Sequence, residues 1–238
     1  MNQQNSHLKL ASLDEWLFYL ESIHPTEIDM GLTRIREVVQ RLDISLNASK
    51  VITVAGTNGK GTTCAFIENA LQSEGHSVAV YSSPHIEKFN ERLRINKELV
   101  DDKRLIAAFS RIEQTRQEIS LTYYEYTTLA ALLVAEKVKP DYLILEVGLG
   151  GRLDATNIID ADVAVITSID IDHQAFLGNT REAIGYEKAG IARANTPLII
   201  GDLDIPQSVL NYSADLGCIT KIRNKDFHLS SKGLASAW

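Results

Sequence analysis

Residues 51–66 read VITVAGTNGKGTTCAF. Val51 to Ala55 is a short, β-branched, apolar run, the composition of a strand buried inside a parallel sheet. Gly56, Gly59 and Gly61 follow, and then the pattern of a helix from Thr62 to Gly75, with Gly75 suited to its C-cap. Glycines let the backbone turn tightly and aim N–H groups at phosphate oxygens. The start of the helix adds a dipole that favours an anion, and Lys60 adds a point charge for the β- and γ-phosphates. The loop departs twice from the strict pattern G-x-x-x-x-G-K-[ST]. Val54 stands where the first glycine would be, and Gly61 where a metal-binding hydroxyl would follow Lys60. A nucleotide held here needs metal ligands from elsewhere in the chain.

Working outward, Val78 to Tyr81 is the next strand, completing a strand–loop–helix–strand unit. Residues 8–23 and 31–43 have helical spacing (Leu13, Trp16, Leu17, Leu20; Ile35, Val38, Val39, Leu42), with a loop over 23–32 that contains Pro25 and Gly31. Residues 82–96 form a polar excursion ending in a short strand. Helices are expected over 101–118, 125–138, 180–192 and 205–217. Strands are expected over 142–147, 163–167, 197–201 and 218–222. This alternation predicts an α/β fold with a mostly parallel sheet covered by helices on both faces. Repeats, low-complexity segments and a clear interdomain linker are absent. The tail RNKDFHLSSKGLASAW, residues 223–238, is polar and weakly patterned, and reads as a chain that continues.

The 238 residues include 24 basic and 31 acidic ones, a net charge of −7. With no lysine or arginine run, a nucleic-acid partner is not expected. No apolar run reaches the roughly 18 residues of a membrane span, and residues 1–16 lack the apolar core of a signal peptide. A cytoplasmic protein is expected. Cys64 and Cys218 are too few for a disulfide framework, and Cys64, just inside the helix after the loop, reads as a small buried hydrophobe.

Three further segments follow strands, where ligands of open α/β sheets bind. EVGLGGRLDATN (146–157) begins with Glu146 at the end of an apolar strand. Its carboxylate is a candidate for Mg2+; the alternative is a cap for a neighbouring helix. Gly148, Gly150 and Gly151 suggest close backbone approach to a ligand. SIDIDHQAFLG (168–178) carries His173, either a metal ligand or a satisfied structural histidine. SSPHI (82–86) offers the hydroxyls of Ser82 and Ser83, or an ordinary Ser-Pro turn. In YEKAGI (186–191), Lys188 reads by itself as a solvated lysine.

Together AGTNGKGTT, YSSPHI, ERLRIN, LTYYEY, EVGLGGRLDATN, DHQAFLG and EKAGI, in that order between about residues 23 and 201, resemble the folylpolyglutamate synthases of the Mur ligase superfamily, most closely the bifunctional dihydrofolate synthase/folylpolyglutamate synthases. GTNGKG alone also fits the cell-wall Mur ligases; EVGLGGRLDATN with DHQAFLG and EKAGI is far more specific to the folate branch. The resemblance implies a P-loop NTPase-like Mur ligase central domain. It implies ATP on Gly56, Thr57, Asn58, Gly59, Lys60, Gly61 and Thr62, and Mg2+ on Ser83, Glu146 and His173. Lys188 matches a lysine that is carbamylated in the family. A pterin would lie against Asp29, Met30, Gly31, Thr122, Tyr123, Tyr124, Glu125, Leu153, Asp154 and Ala155, with an aromatic ring stacked on it and Asp154 hydrogen-bonded to it. Tyr124 stands where phenylalanine is common. Lys60, Lys188 and Asp154 are the catalytic candidates.

The implied reaction joins L-glutamate to dihydropteroate, or to a reduced folate, at the expense of ATP through an acyl phosphate. Residues 1–238 would be the ATP- and pterin-binding domain, truncated, without the carboxyl-terminal glutamate-binding domain, and monomeric. The alternatives are a non-catalytic nucleotide- or pterin-binding module and a Mur-type peptide ligase; LTYYEY and RLDATN speak against the latter.

Overall fold

The computed structural model describes residues 10–26 and 28–228. Residues 8 and 9 of the first expected helix, Glu27 in the loop after it, and the tail from residue 229 lie outside them. Two helices come first, α1 (Leu13–Ser22) and α2 (Thr33–Leu42). Strand β1 (Lys50–Ala55) runs through the glycine loop into α3 (Lys60–Ser73) and then β2 (Val78–Tyr81). A hairpin of β3 (Leu93–Ile95) and β4 (Glu98–Leu99) precedes α4 (Asp102–Arg116) and α5 (Tyr123–Val138). The rest is β5 (Tyr142–Glu146), β6 (Val163–Ile166), the short α6 (Gln174–Leu177), α7 (Arg181–Ala189), β7 (Pro197–Ile200), α8 (Gln207–Leu216) and β8 (Ile219–Ile222).

The strands form one sheet in the order β4-β3-β2-β5-β1-β6-β7-β8. Pairing is parallel from β2 across to β8, and antiparallel only in the β3–β4 edge. The mostly parallel α/β sheet expected from the sequence is therefore present. The run VITVA is buried throughout, and apolar except for Thr53, because both its faces are covered. Val51 joins Leu143, Leu145 and Tyr81 in a core with α1, α2, α4 and α5, where Trp16, Phe109 and Tyr126 are fully buried. Ile52 and Val54 join Val78, Val80, Ile144 and the buried Cys64 of α3 on the other face.

Both faces carry helices, as expected, but their coverage is unequal. Partners in register share a face, and Thr53 pairs with both Leu145 and Ala164. Ala164, Ile166, Leu198 and Ile200 pack with Ile184 of α7 and Val209 of α8, so these helices lie on the α5 side. Among the described helices only α3 contributes to the core of the opposite face, where Val163, Val165 and Ile199 stay half-buried.

Helix α3 begins at Lys60 rather than Thr62, because Gly59 takes a left-handed conformation (φ 81°) as its N-cap. Gly75 ends the helix as expected: at φ 86° its N–H reaches the Gln72 carbonyl at 3.0 Å, and His76 N–H reaches Leu71 at 3.1 Å. Strand β4 was not expected. Asn96 and Lys97, both at positive φ, make the two-residue turn that folds it onto β3. Helix α6 was not expected either; a single turn is too short to show periodicity.

Candidate functional site

The loop after β1 is held from the segment after β6, its neighbour in the sheet. A Cβ on Gly56 would lie 1.8 Å from the Thr167 hydroxyl oxygen, so only glycine fits there. Thr57 N–H donates to the Ser168 carbonyl (2.7 Å), and the Thr167 hydroxyl donates to the Asn58 carbonyl (2.7 Å). No side chain caps α3, which leaves the first-turn N–H groups at Lys60, Gly61 and Thr62 without intrahelical partners. Lys60 Nζ arches back to the Gly56 carbonyl at 3.1 Å. Residues 56–62 thus form a rigid cradle of backbone donors with one cation, suited to phosphates.

Strand order then supplies an acid. Because β5 lies beside β1, with Glu146 in register with Val54, the Glu146 carboxylate comes up against Gly61 in the first turn of α3. Glu146 is buried, and burial pushes its carboxyl above the usual range; the Lys60 ammonium, the Ser83 backbone N–H and Arg94 act in the opposite direction. Ser83 follows β2, the strand on the other side of β5. Its backbone serves Glu146, and Ser83 itself lines a large cavity that His173 also lines. His173 stands at the start of α6 at φ 46°, with its side chain half exposed. No cluster of three His, Cys, Asp or Glu side chains suited to a metal occurs among the described residues; a set of Ser83, Glu146 and His173 contains only two of those types. The buried Glu146 carboxylate at the end of β5, beside the backbone N–H donors that begin α3, does fit a hard divalent cation. Lys188, on α7, is buried and forms no ion pair among the described residues. Burial first, and the nearby Lys60 second, bring its amine down to about 8, while Asp172 acts in the opposite direction.

The cavity measures about 880 Å³. Asp29, Met30 and Gly31, then Thr122 to Glu125, then Leu153, Asp154 and Ala155 all line it. Arg34 joins the first two segments: it donates to Asp29 Oδ2 at 2.6 Å and to Glu125 Oε1 at 3.2 Å. Glu125 is also half of a capping box with Thr122 that starts α5. Its burial raises its carboxyl, with Thr122 and Arg34 opposing. Tyr124 presses on Gly148, where an added Cβ would lie 2.6 Å from the ring. Asp154 is fully committed within the protein. It accepts from Leu149 N–H (2.8 Å), Thr156 N–H (3.0 Å), the Thr156 hydroxyl (2.6 Å) and the Tyr124 hydroxyl (3.4 Å). Asp154 therefore organises the turn that presents Leu153 and Ala155, and burial raises its own carboxyl.

Gly150 and Gly151 clear space for protein, a role the sequence did not suggest, while Gly148 lines the cavity. Cβ atoms at Gly150 and Gly151 would lie 2.8 Å from Leu177 Cδ2 and from the Glu187 carbonyl. Gly190 does the same for Arg152, which donates to Glu187 at 2.8 Å. EVGLGGRLDATN and EKAGI are the two sides of one packing contact. Sequence reasoning gave no role to Leu20, Glu21, His24, His85 and Arg92, which also line the cavity. His85 and Arg92 lay in motifs already singled out; the other three carry no local signal.

The Mur ligase middle domain matches residues 54–215. The dihydrofolate synthase/folylpolyglutamate synthase of Haemophilus influenzae is 52% identical over 224 residues, covering 94% of this chain and 51% of that protein. Among solved structures, Escherichia coli FolC in complex with DHPP and ADP matches with a TM-score of 0.90 and 46% identity, over 93% of this chain and 54% of that one. The bifunctional folylpolyglutamate synthase/dihydrofolate synthase of Yersinia pestis, complexed with AMPPNP and Mn ion, gives a TM-score of 0.87 and 48% identity, over 92% of this chain and 54% of that one. The chain spans about half the length of the curated relatives it matches.

Proposed function

The chain belongs to the Mur ligase middle-domain family, and from that premise we propose that it is the ATP- and pterin-binding part of a ligase that joins L-glutamate to dihydropteroate and to reduced folates. The observation that carries this reading is the convergence of residues 29–31, 122–125 and 153–155 on one cavity that Ser83 and His173 also line. The names of the similar proteins support the same substrates.

A carboxylate is a poor acyl donor, because oxide would have to leave. Transfer of the γ-phosphoryl group from ATP makes an acyl phosphate and ADP. The glutamate amine attacks the carbonyl carbon, the C–O bond to phosphate breaks with its electron pair, and the amine gives up a proton as the amide forms. Such a transfer needs positioning and charge neutralisation. The cradle at residues 56–62 holds the phosphates, and Lys60 balances charge between the β- and γ-groups. Ser83, Glu146 and His173 would hold Mg2+, which when bound neutralises phosphate oxygens. Lys188, with its amine near 8, is partly the free base at neutral pH, the form that adds carbon dioxide to give a carbamate and a proton. Tyr124 offers its ring for pterin stacking, and Asp154 keeps the surrounding turn in shape. In this reading residues 1–238 hold ATP and the pterin acid, a further domain holds glutamate, and the chain works as a cytoplasmic monomer on small molecules.

Calorimetric titration of the 238-residue chain with ATP and Mg2+, then with dihydropteroate, tests the reading. Binding of both is expected. Absence of both would overturn it.

A further inference from the structure

ERLRIN, residues 91–96, has no part in the proposed chemistry, yet its first arginine lines the cavity. Among the described residues, six of the half-buried arginines are ion-paired with a carboxylate at 3.3 Å or less. Arg92, equally half-buried, has no such partner. Half-desolvating a cation without a counter-charge is unfavourable, so an unpaired guanidinium on a cavity wall suits an anionic occupant.

Its surroundings fix the group without neutralising it. Nε donates to His85 Nδ1 at 2.9 Å, which makes that nitrogen an acceptor and His85 a neutral imidazole. The guanidinium carbon lies 5.5 Å from the Tyr123 ring centroid and 5.9 Å from that of Phe89. Its two terminal nitrogens have no acceptor among the described residues. The other acids of the cavity are committed or apart: Asp29 and Glu125 to Arg34, Asp154 to its own turn, and Glu21 without an ion pair to Arg92. A guanidinium with a fixed plane and two free nitrogens matches a carboxylate edge-on, in two parallel hydrogen bonds.

We propose that Arg92 binds a carboxylate of the acid substrate through its two terminal nitrogens, and so selects pterin acids over neutral pterins. This rests on the reading of the cavity as a pterin-acid site. Two carboxylates qualify: the one that is phosphorylated, or the α-carboxylate of a glutamyl tail.

The test titrates the wild-type chain, Arg92→Met and Arg92→Lys with dihydropteroate, tetrahydrofolate and 6-hydroxymethylpterin, which carries no carboxylate. In R92M the affinity for an acid falls about tenfold or more, while the neutral pterin binds unchanged and so reports an intact fold. R92K, which keeps the charge without the fork, falls between. Loss for both acids assigns Arg92 to the reacting carboxylate, the only one dihydropteroate has. Loss for tetrahydrofolate alone assigns it to the tail. No loss for either acid, or equal loss for all three ligands, overturns the inference. Failure of the wild-type chain to bind any of the three would instead sink the pterin-acid reading beneath it.

Discussion

A Cβ on Gly61 would lie 3.8 Å from both carboxylate oxygens of Glu146. Where the strict phosphate loop carries a hydroxyl after its lysine, this loop carries nothing, and the acid of the neighbouring strand faces the opening. Glu146→Gln keeps the shape and removes a buried charge, so the unliganded chain is expected to hold its stability within about 1 kcal/mol. Binding of ATP should lose its dependence on Mg2+. Calorimetry with ATP in Mg2+ and in chelator measures this, and an unchanged Mg2+ dependence would discard the metal assignment.

Tyr124 and Gly148 leave no room between them. Gly148→Ala must move the ring or the turn, at a cost of about 1–3 kcal/mol. Dihydropteroate binding is expected to weaken while ATP binding stays. Urea unfolding paired with the two titrations checks it; equal weakening of both ligands would point to a wider collapse.

Arg34 holds together Asp29 and Glu125, two acids that line the cavity. Arg34→Met leaves Glu125 buried without its cation, for a loss of about 2–4 kcal/mol at pH 7. The Glu125 pKa is already raised by burial and rises further in the variant. The loss should therefore shrink as the pH falls and the carboxyl takes up its proton. Denaturant midpoints at pH 7 and at pH 4.5 give the comparison; a loss independent of pH would rule out the unpaired charge as its cause.

Folded Lys188 releases its proton near pH 8, while the unfolded chain keeps it to its ordinary value of 10.5. Between those values the unfolded state binds more protons, so this lysine makes stability rise with pH. Lys188→Met should abolish that rise and gain up to about 3 kcal/mol at pH 7. Urea midpoints of both chains at pH 7, 8 and 10 decide it. If the two chains kept a constant gap, some other group would own the pH dependence.

The sequence by itself determined the class of fold and all of the longer elements. VITVA followed by GTNGKG announces strand, phosphate turn and helix within sixteen residues, because backbone conformation and helix ends are set by near neighbours. Gly75 marked the end of α3 for the same reason. The tertiary structure alone decided what meets what. That β5 lies between β1 and β2 brings Glu146 to Gly61 on one side and Ser83 on the other. That α5, α6 and α7 pack on the GLGGR turn fits Gly148 to Tyr124, Gly150 to Leu177 and Gly151 to Glu187. Arg34 reaches an acid 91 residues away, and Arg92 is left with none. Strand order and helix placement follow from burying whole faces at once, which no local window of the chain records.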